Sequence, residues 1–136
     1  MIKDIWFNLP VKDIQQSRRF FTHLGFTFTE HGNSDTSLGL LIGNKNQVVM
    51  LFHESTFRQF TSVPVTDTSK GNEVLISIEA DSREAVDTMA QKITEAGGSV
   101  SGKPAENMGW LYGFNFTDPD GHQWNVLYMD WAKQPK

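Results

Sequence analysis

The sequence predicts an α+β fold built from paired βαβββ modules. Three observations predict it. An alternating apolar strand pattern runs into a capped, glycine-stopped helical stripe near the N-terminus, and the same order restarts at Glu73. Three short strand patterns separated by turn-forming residues follow each helix. The length, 136 residues, suits one domain or two small modules sharing a core, and neither module alone has much interior.

In the first module, Ile5 to Val11 alternates, with Ile5, Phe7, Leu9 and Val11 on one side, Trp6 and Asn8 on the other, and Pro10 ending the regularity. Asp13 begins a helix, with Gln16 at the capping-box position; Ile14, Phe20, Phe21 and Leu24 form its apolar stripe and Gly25 stops it. Strands are predicted near 26–31, 37–42 and 47–53, divided by HGNSD and GNKN.

In the second module, Val74, Ile76 and Ile78 share one strand face, and Glu73, Leu75 and Ser77 the other. Asp81 is the predicted N-cap with Glu84 as its box partner, Ala85, Val86, Met89 and Ile93 form the stripe, and Gly97-Gly98 is the stop. Strands follow near 99–103, 112–117 and 122–129, the last two joined by Asp118-Pro119-Asp120-Gly121, a good turn on its Pro and Gly. The chain thus reads as one domain over 1–136, with module 1 at about 1–54, a polar linker at about 55–72 and module 2 at about 73–132. Each module has one helix to cover one sheet face, so the opposite faces need another use, and function is sought there.

Charge and composition narrow the classes. Twelve Lys+Arg against 16 Asp+Glu give a net charge of -4, with no basic stripe, which disfavours nucleic acid as a partner. The absence of cysteine removes disulfides, thiolate metal sites and a Cys nucleophile, and fits the cytoplasm. No apolar run reaches the length of a signal sequence or membrane span, so the expectation is a soluble chain with no membrane partner.

The opening strand leading into "LPVKDIQQSRRFFTHLGF", the segment "EVLISIEADSREAVDTMAQKITEAGG" and the closing "FTDPDGHQWNVLYMD" together resemble the glyoxalase/bleomycin-resistance/dioxygenase group, the vicinal oxygen chelate superfamily. The likeness covers nearly the whole chain. It implies curved mixed sheets around a cavity, with the helices outside, and metal ligands from four strand positions. Aligned by motif, those positions fall on Trp6, Leu51, Glu73 and Asn125. Glu73 alone is a usual divalent-metal ligand; Asn125 offers a neutral carbonyl oxygen, and Trp6 and Leu51 offer nothing. The expectation is therefore no cofactor. The alternative is a divalent metal displaced onto Glu73, His53 and Asn125. Of the other histidines, His122 reads as a surface or edge residue and His23 as a partner of the helix C-terminus.

By strand parity the cavity is lined by Trp6, Asn8, Val49, Leu51, His53, Glu73, Leu75, Ser77, Asn125 and Leu127, a mixed apolar and polar wall suited to a small molecule. Trp6, Leu51 and Leu127 also read as plain core, and His53 as a half-solvated strand end. Glu73 is the candidate catalytic group: facing an apolar cavity it would be a general base, and near Lys70 it would be solvated and inert. "NMGWLYGFNF" sets Trp110 and Tyr112 between glycines, and the linker carries Phe57, Arg58 and Phe60; both segments read either as lids or as surfaces against a partner. The functional expectation is a small-molecule-binding protein of the bleomycin-resistance kind, forming a homodimer. The alternative is a lyase, isomerase or dioxygenase-type enzyme using Glu73, and a third reading is a structural dimer.

Overall fold

The computed structural model describes residues 1–135. Its elements are β1 (Phe7–Val11), α1 (Ile14–His23), β2 (Thr27–Phe28), β3 (Ser37–Ile42), β4 (Gln47–His53), α2 (Glu54–Phe60), β5 (Leu75–Glu79), α3 (Arg83–Glu95), β6 (Ser99–Asn107), β7 (Leu111–Thr117) and β8 (Gln123–Met129), then a 3-10 turn at Trp131–Lys133. They form two compact units, Met1–Asp67 and the chain from Thr68 onward. Each unit holds a four-stranded sheet, ordered β1-β4-β3-β2 in the first and β5-β8-β7-β6 in the second. The β1–β4 and β5–β8 pairs are parallel and the remaining pairs antiparallel, so the fold is the predicted α+β with mixed sheets.

In the first unit, Asp13 Oδ1 accepts the backbone N–H groups of Gln15 at 2.9 Å and Gln16 at 3.1 Å, satisfying donors that the first helical turn leaves free. Gly25, at φ 89°, turns the chain, and Phe26 N–H closes back onto Phe21 O at 2.9 Å. Between these stops α1 buries Ile14, Phe20 and Phe21 against a sheet face made by Leu38, Leu40, Val49 and Leu51. Each such side chain contributes roughly 1.5–3 kcal/mol on burial. The first strand starts at Phe7 rather than Ile5, and Pro10 lies within it. Proline is tolerated because β1 is an edge strand, with β4 as its one hydrogen-bonded neighbour.

The linker departs from the sequence reading. Residues 54–60 are helix α2, whose first turn is capped by the His53 ring accepting Ser55 N–H at 3.2 Å. Neither Gly nor Pro interrupts this stretch, so nothing in it opposes a helix. Among the described residues there are thus three α-helices, not one per module.

In the second unit the cap of α3 is Ser82, one residue beyond the predicted Asp81, with Ser82 Oγ accepting Ala85 N–H at 3.0 Å. Gly97 at φ 88° ends the helix as expected. The helix covers β6, β7 and β8, burying Val86 and Ile93 against Phe114, Val126 and the stacked pair Phe116–Trp124, whose rings lie 5.8 Å apart at 10°. The β6–β7 hairpin closes through Met108, Gly109 and Trp110, the first two at φ 57° and 77°. The segment "NMGWLYGFNF" is thus a three-residue turn and the strand that follows it rather than a long loop.

Candidate functional site

Strand register settles which side chains share a face. In the first unit Asn8 pairs with Met50, and Pro10 with Phe52, whereas Leu9 pairs with Leu51 and Val11 with His53. Leu9, Val11, Leu38, Leu40, Val49 and Leu51 are buried on the face that α1 covers. Trp6, Asn8, Val48, Met50 and Phe52 therefore point to the other face. Leu51 is correspondingly 0% exposed and belongs to the helix-side core, which corrects its place in the predicted cavity wall. His53 also leaves that wall: its Nδ1 caps α2 and lies 2.8 Å from Ser55 Oγ.

On the uncovered face of this unit lies a cleft of about 380 Å³, lined by Trp6, Val48, Met50 and Phe52 with Asp4, Lys45 and neighbours at its rim. The size falls in the range of small-molecule sites. Phe60 of α2 sets its ring edge-on to Phe52, centroids 5.1 Å apart, so the linker helix carries an aromatic to that strand end. Trp6 is 56% exposed. Met50 and Phe52 were missed by the sequence reading, which placed their odd-numbered neighbours there instead.

In the second unit the helix-side residues of β7 and β8 are Phe114, Phe116, Trp124 and Val126. Their neighbours form an uncovered face on which Ser77, Asn125, Asn115 and Ser101 stand in register, one per strand. Asn125 Oδ1 is buried and has no hydrogen-bond partner. The next register row runs Leu75, Gln123, Thr117 and Ser99, where Gln123 Nε2 donates to Thr117 Oγ1 at 3.0 Å. Glu73 precedes β5 and is exposed rather than enclosed by apolar groups.

Tyr112 is placed elsewhere. It lies on the α3 side, its hydroxyl donating to Asp87 Oδ1 at 2.6 Å and its ring under the Arg83 guanidinium at 4.7 Å. The Asp87 carboxylate holds that proton and raises the phenol above its usual value. Arg83 also pairs with Glu106. Trp110, in the hairpin turn, packs on Trp131 with centroids 5.6 Å apart. Trp131 in turn donates its indole N–H to Glu79 Oε2 at 3.3 Å, and Tyr112 and Trp110 stand apart from the Ser77–Asn125 row.

The Asp118-Pro119-Asp120-Gly121 turn fixes β8. Asp118 is 6% exposed; its Oδ1 accepts Asp120 N–H at 2.9 Å and His122 N–H at 3.0 Å, and its Oδ2 accepts the Trp124 indole N–H at 3.0 Å. Thr68 Oγ1 donates to Asp120 O at 2.6 Å, tying the start of this unit over the turn. The turn therefore sets the phase of Trp124 inward and Asn125 outward.

A profile of the Glyoxalase/Bleomycin resistance protein/Dioxygenase superfamily matches residues 5–126, and the chain belongs to that superfamily. A hypothetical protein from S. aureus has a similar structure, with a TM-score of 0.83 and 35% identity over 94% of each chain. A glyoxalase-related enzyme from Fulvimarina pelagi aligns with a TM-score of 0.79 at 16% identity, over 93% of this chain and 88% of that one. A fosfomycin resistance protein from Mesorhizobium loti aligns with a TM-score of 0.68 at 14% identity over 98% of each chain. At those lower identities the likeness shows the fold alone. No protein of curated function matches the sequence.

The superfamily usually binds a divalent metal, and the donors available on these faces do not fit one. The uncovered strand face of the first unit offers Trp6, Asn8, Met50 and Phe52; that of the second offers the amides of Asn125, Asn115 and Gln123, hydroxyls at Ser77, Ser99, Ser101 and Thr117, and the Glu79 carboxylate, with the exposed carboxylate of Glu73 ahead of the strand. Divalent ions of the hard or borderline kind take several oxygen or nitrogen donors together. Among the described residues no three His, Cys, Asp or Glu side chains stand close enough to hold one.

Proposed function

We propose that the chain is a binding protein for a small molecule with an aromatic or apolar body, held against the uncovered sheet faces without a metal. The observation that carries this reading is the cleft of about 380 Å³ walled by Trp6, Val48, Met50 and Phe52. A tryptophan stands there at a position where the superfamily resemblance implies a metal-ligating histidine. An indole gives a stacking surface and no lone pair for a cation. The enzyme reading has Glu73 as its support, and that carboxylate stands exposed ahead of β5, outside the cleft.

Melting curves with a panel of amphipathic aromatic compounds, run on wild type and Trp6→Ala, test the proposal. Ligand-dependent stabilisation that disappears in the variant is the expected result. Stabilisation by a divalent ion against a chelated control, lost in Glu73→Gln, would favour the displaced-metal enzyme instead.

A homodimer is part of the proposal. Phe7 at one sheet edge, and Val74 just ahead of the other unit's first strand, are exposed apolar groups outside the cleft that a second copy would cover. Light scattering that returned the monomer mass at micromolar concentration would refute it.

A further inference from the structure

The cleft beside Trp6 carries two opposite charges that the fold does not use. Asp4 and Lys45 are the charged members of its lining, and both are exposed. Asp4 Oδ1 accepts Ile5 N–H at 2.8 Å, which leaves Oδ2 open. Lys45 has no hydrogen bond or ion pair among the described residues, and the two side chains are not close enough to pair with each other.

Backbone geometry sets both positions. Lys45 belongs to the turn of residues 43–46 between β3 and β4, where Gly43 and Asn46 are left-handed at φ 76° and 53° and Asn46 N–H donates to Gly43 O at 3.2 Å. Left-handed backbone at asparagine marks a defined turn. Strands β1 and β4 run parallel with Phe7 beside Val49, so the chain ahead of β1, with Asp4, runs beside that turn.

Followed along β4, the lining passes from Lys45, Asn46 and Gln47 to Met50 and Phe52. One end of the cleft is therefore charged and polar and the other apolar. Other charged groups near it stand outside the lining: Lys3 beside Asp4, Glu30, His31 and Asp35 in the β2–β3 loop that passes Met50 at Gly32, and Glu54 and Arg58 of α2 beyond Phe52. At about 380 Å³ the cleft lies near the lower end of small-molecule sites, which suits one ring system. A carboxylate alone would meet Asp4, and an amine alone would meet Lys45, each a like-charge opposition. A ligand with both charges at one end answers both.

We infer that the cleft takes an aromatic zwitterion of the α-amino-acid kind, its ring against Trp6 and the Met50–Phe52 end, its carboxylate at Lys45 Nζ and its ammonium at Asp4 Oδ2. The inference rests on the reading of this cleft as a small-molecule site, and it names the ligand class.

L-phenylalanine, 3-phenylpropionate and 2-phenylethylamine share a ring and differ in which charges they carry, so they serve as probes. Calorimetric titration of the full chain at low ionic strength, where exposed charges are least screened, is expected to show saturable phenylalanine binding, with each one-charge analogue about threefold to tenfold weaker. In Lys45→Met the carboxylate no longer counts, so phenylalanine and phenylethylamine should bind alike. In Asp4→Asn phenylalanine and phenylpropionate should bind alike, and Trp6→Ala should lose all three. Both rim residues are exposed, so neither substitution removes core packing. An analogue binding as tightly as phenylalanine, no phenylalanine binding up to its solubility limit, unchanged preferences in the two rim variants, or binding that survives Trp6→Ala would each overturn the inference. Trp6-dependent stabilisation by other aromatic compounds in any of those cases would leave the binding-protein reading standing, and its absence would remove both.

Discussion

Asp118 and Trp124 are joined inside the second unit by an indole N–H donating to a buried carboxylate oxygen at 3.0 Å. The same carboxylate holds the DPDG turn through two backbone N–H groups. One side chain thereby links the turn to the largest side chain of the core and fixes which face each residue of β8 presents.

Burial holds the Asp118 carboxyl above its ordinary value, against the opposing influence of His122 and the hydrogen bonds. The folded chain therefore keeps this proton to higher pH than the unfolded chain. The associated stability is full below the unfolded value of about 3.9 and is lost as pH rises through the raised folded value. Asp118→Asn cannot titrate, so the stability of wild type minus variant should fall across that window. The variant should still be less stable at neutral pH by about 1–3 kcal/mol, because an amide NH₂ would meet the indole N–H or the turn donors. Urea denaturation at a series of pH values measures both, and a difference that grew with pH would contradict the account.

The parity of β4 gives a second prediction. Leu51 has no exposed surface, whereas Met50 lines the cleft on the other face. Leu51→Ala should cost about 2–5 kcal/mol, and Met50→Ala markedly less. Comparable losses at the two positions, by chemical denaturation, would show that the faces have been assigned the wrong way round.

Strand and helix order were legible in the sequence because alternation, caps and glycine stops agree with one another at Asp13, Gly25, Gly97 and the DPDG turn. The face of β4 was not. Val48 to Phe52 is apolar at every position, so its alternation has no phase until pairing with β1 supplies one. Helix α2 was missed because its seven residues are too few to show a period, and its cap is a histidine rather than the usual Ser, Thr, Asp or Asn. In "NMGWLYGFNF", Gly109 was read as a hinge, although its left-handed backbone beside Met108 is what a three-residue hairpin turn requires. Of the candidate site, Trp6, Asn8, Ser77 and Asn125 could be placed from local parity. The orphaned Asn125 oxygen depends on packing, which no local pattern encodes.

Gly113 supplies a third prediction. A methyl group there would lie 2.1 Å from the Val126 carbonyl oxygen, a backbone atom that cannot swing aside. Gly113→Ala should therefore push β7 and β8 apart and lower stability by about 1–3 kcal/mol, the usual cost of overpacking. Since Asn115 and Asn125 stand in the adjoining row, their side-chain amide resonances should move as well. A variant with wild-type melting temperature and unmoved resonances would show that the two strands are not so close.

Trp6 and Glu73 offer the sharpest separation of the functional readings, because both stand just ahead of the first strand of their own unit and both are exposed. Neither substitution removes core packing, so Trp6→Ala and Glu73→Gln should melt close to wild type without ligand. With an aromatic ligand present, Trp6→Ala should lose the stabilisation, since the cleft loses its stacking wall and retains Ile5, Val48, Met50 and Phe52 as apolar contacts. Glu73→Gln should keep it, because its neutral amide preserves shape and the cleft does not include it. Ligand-dependent melting shifts on the two variants side by side make the comparison. A shift lost with Glu73 and kept without Trp6 would move the binding centre to the second unit and restore the carboxylate as the working group.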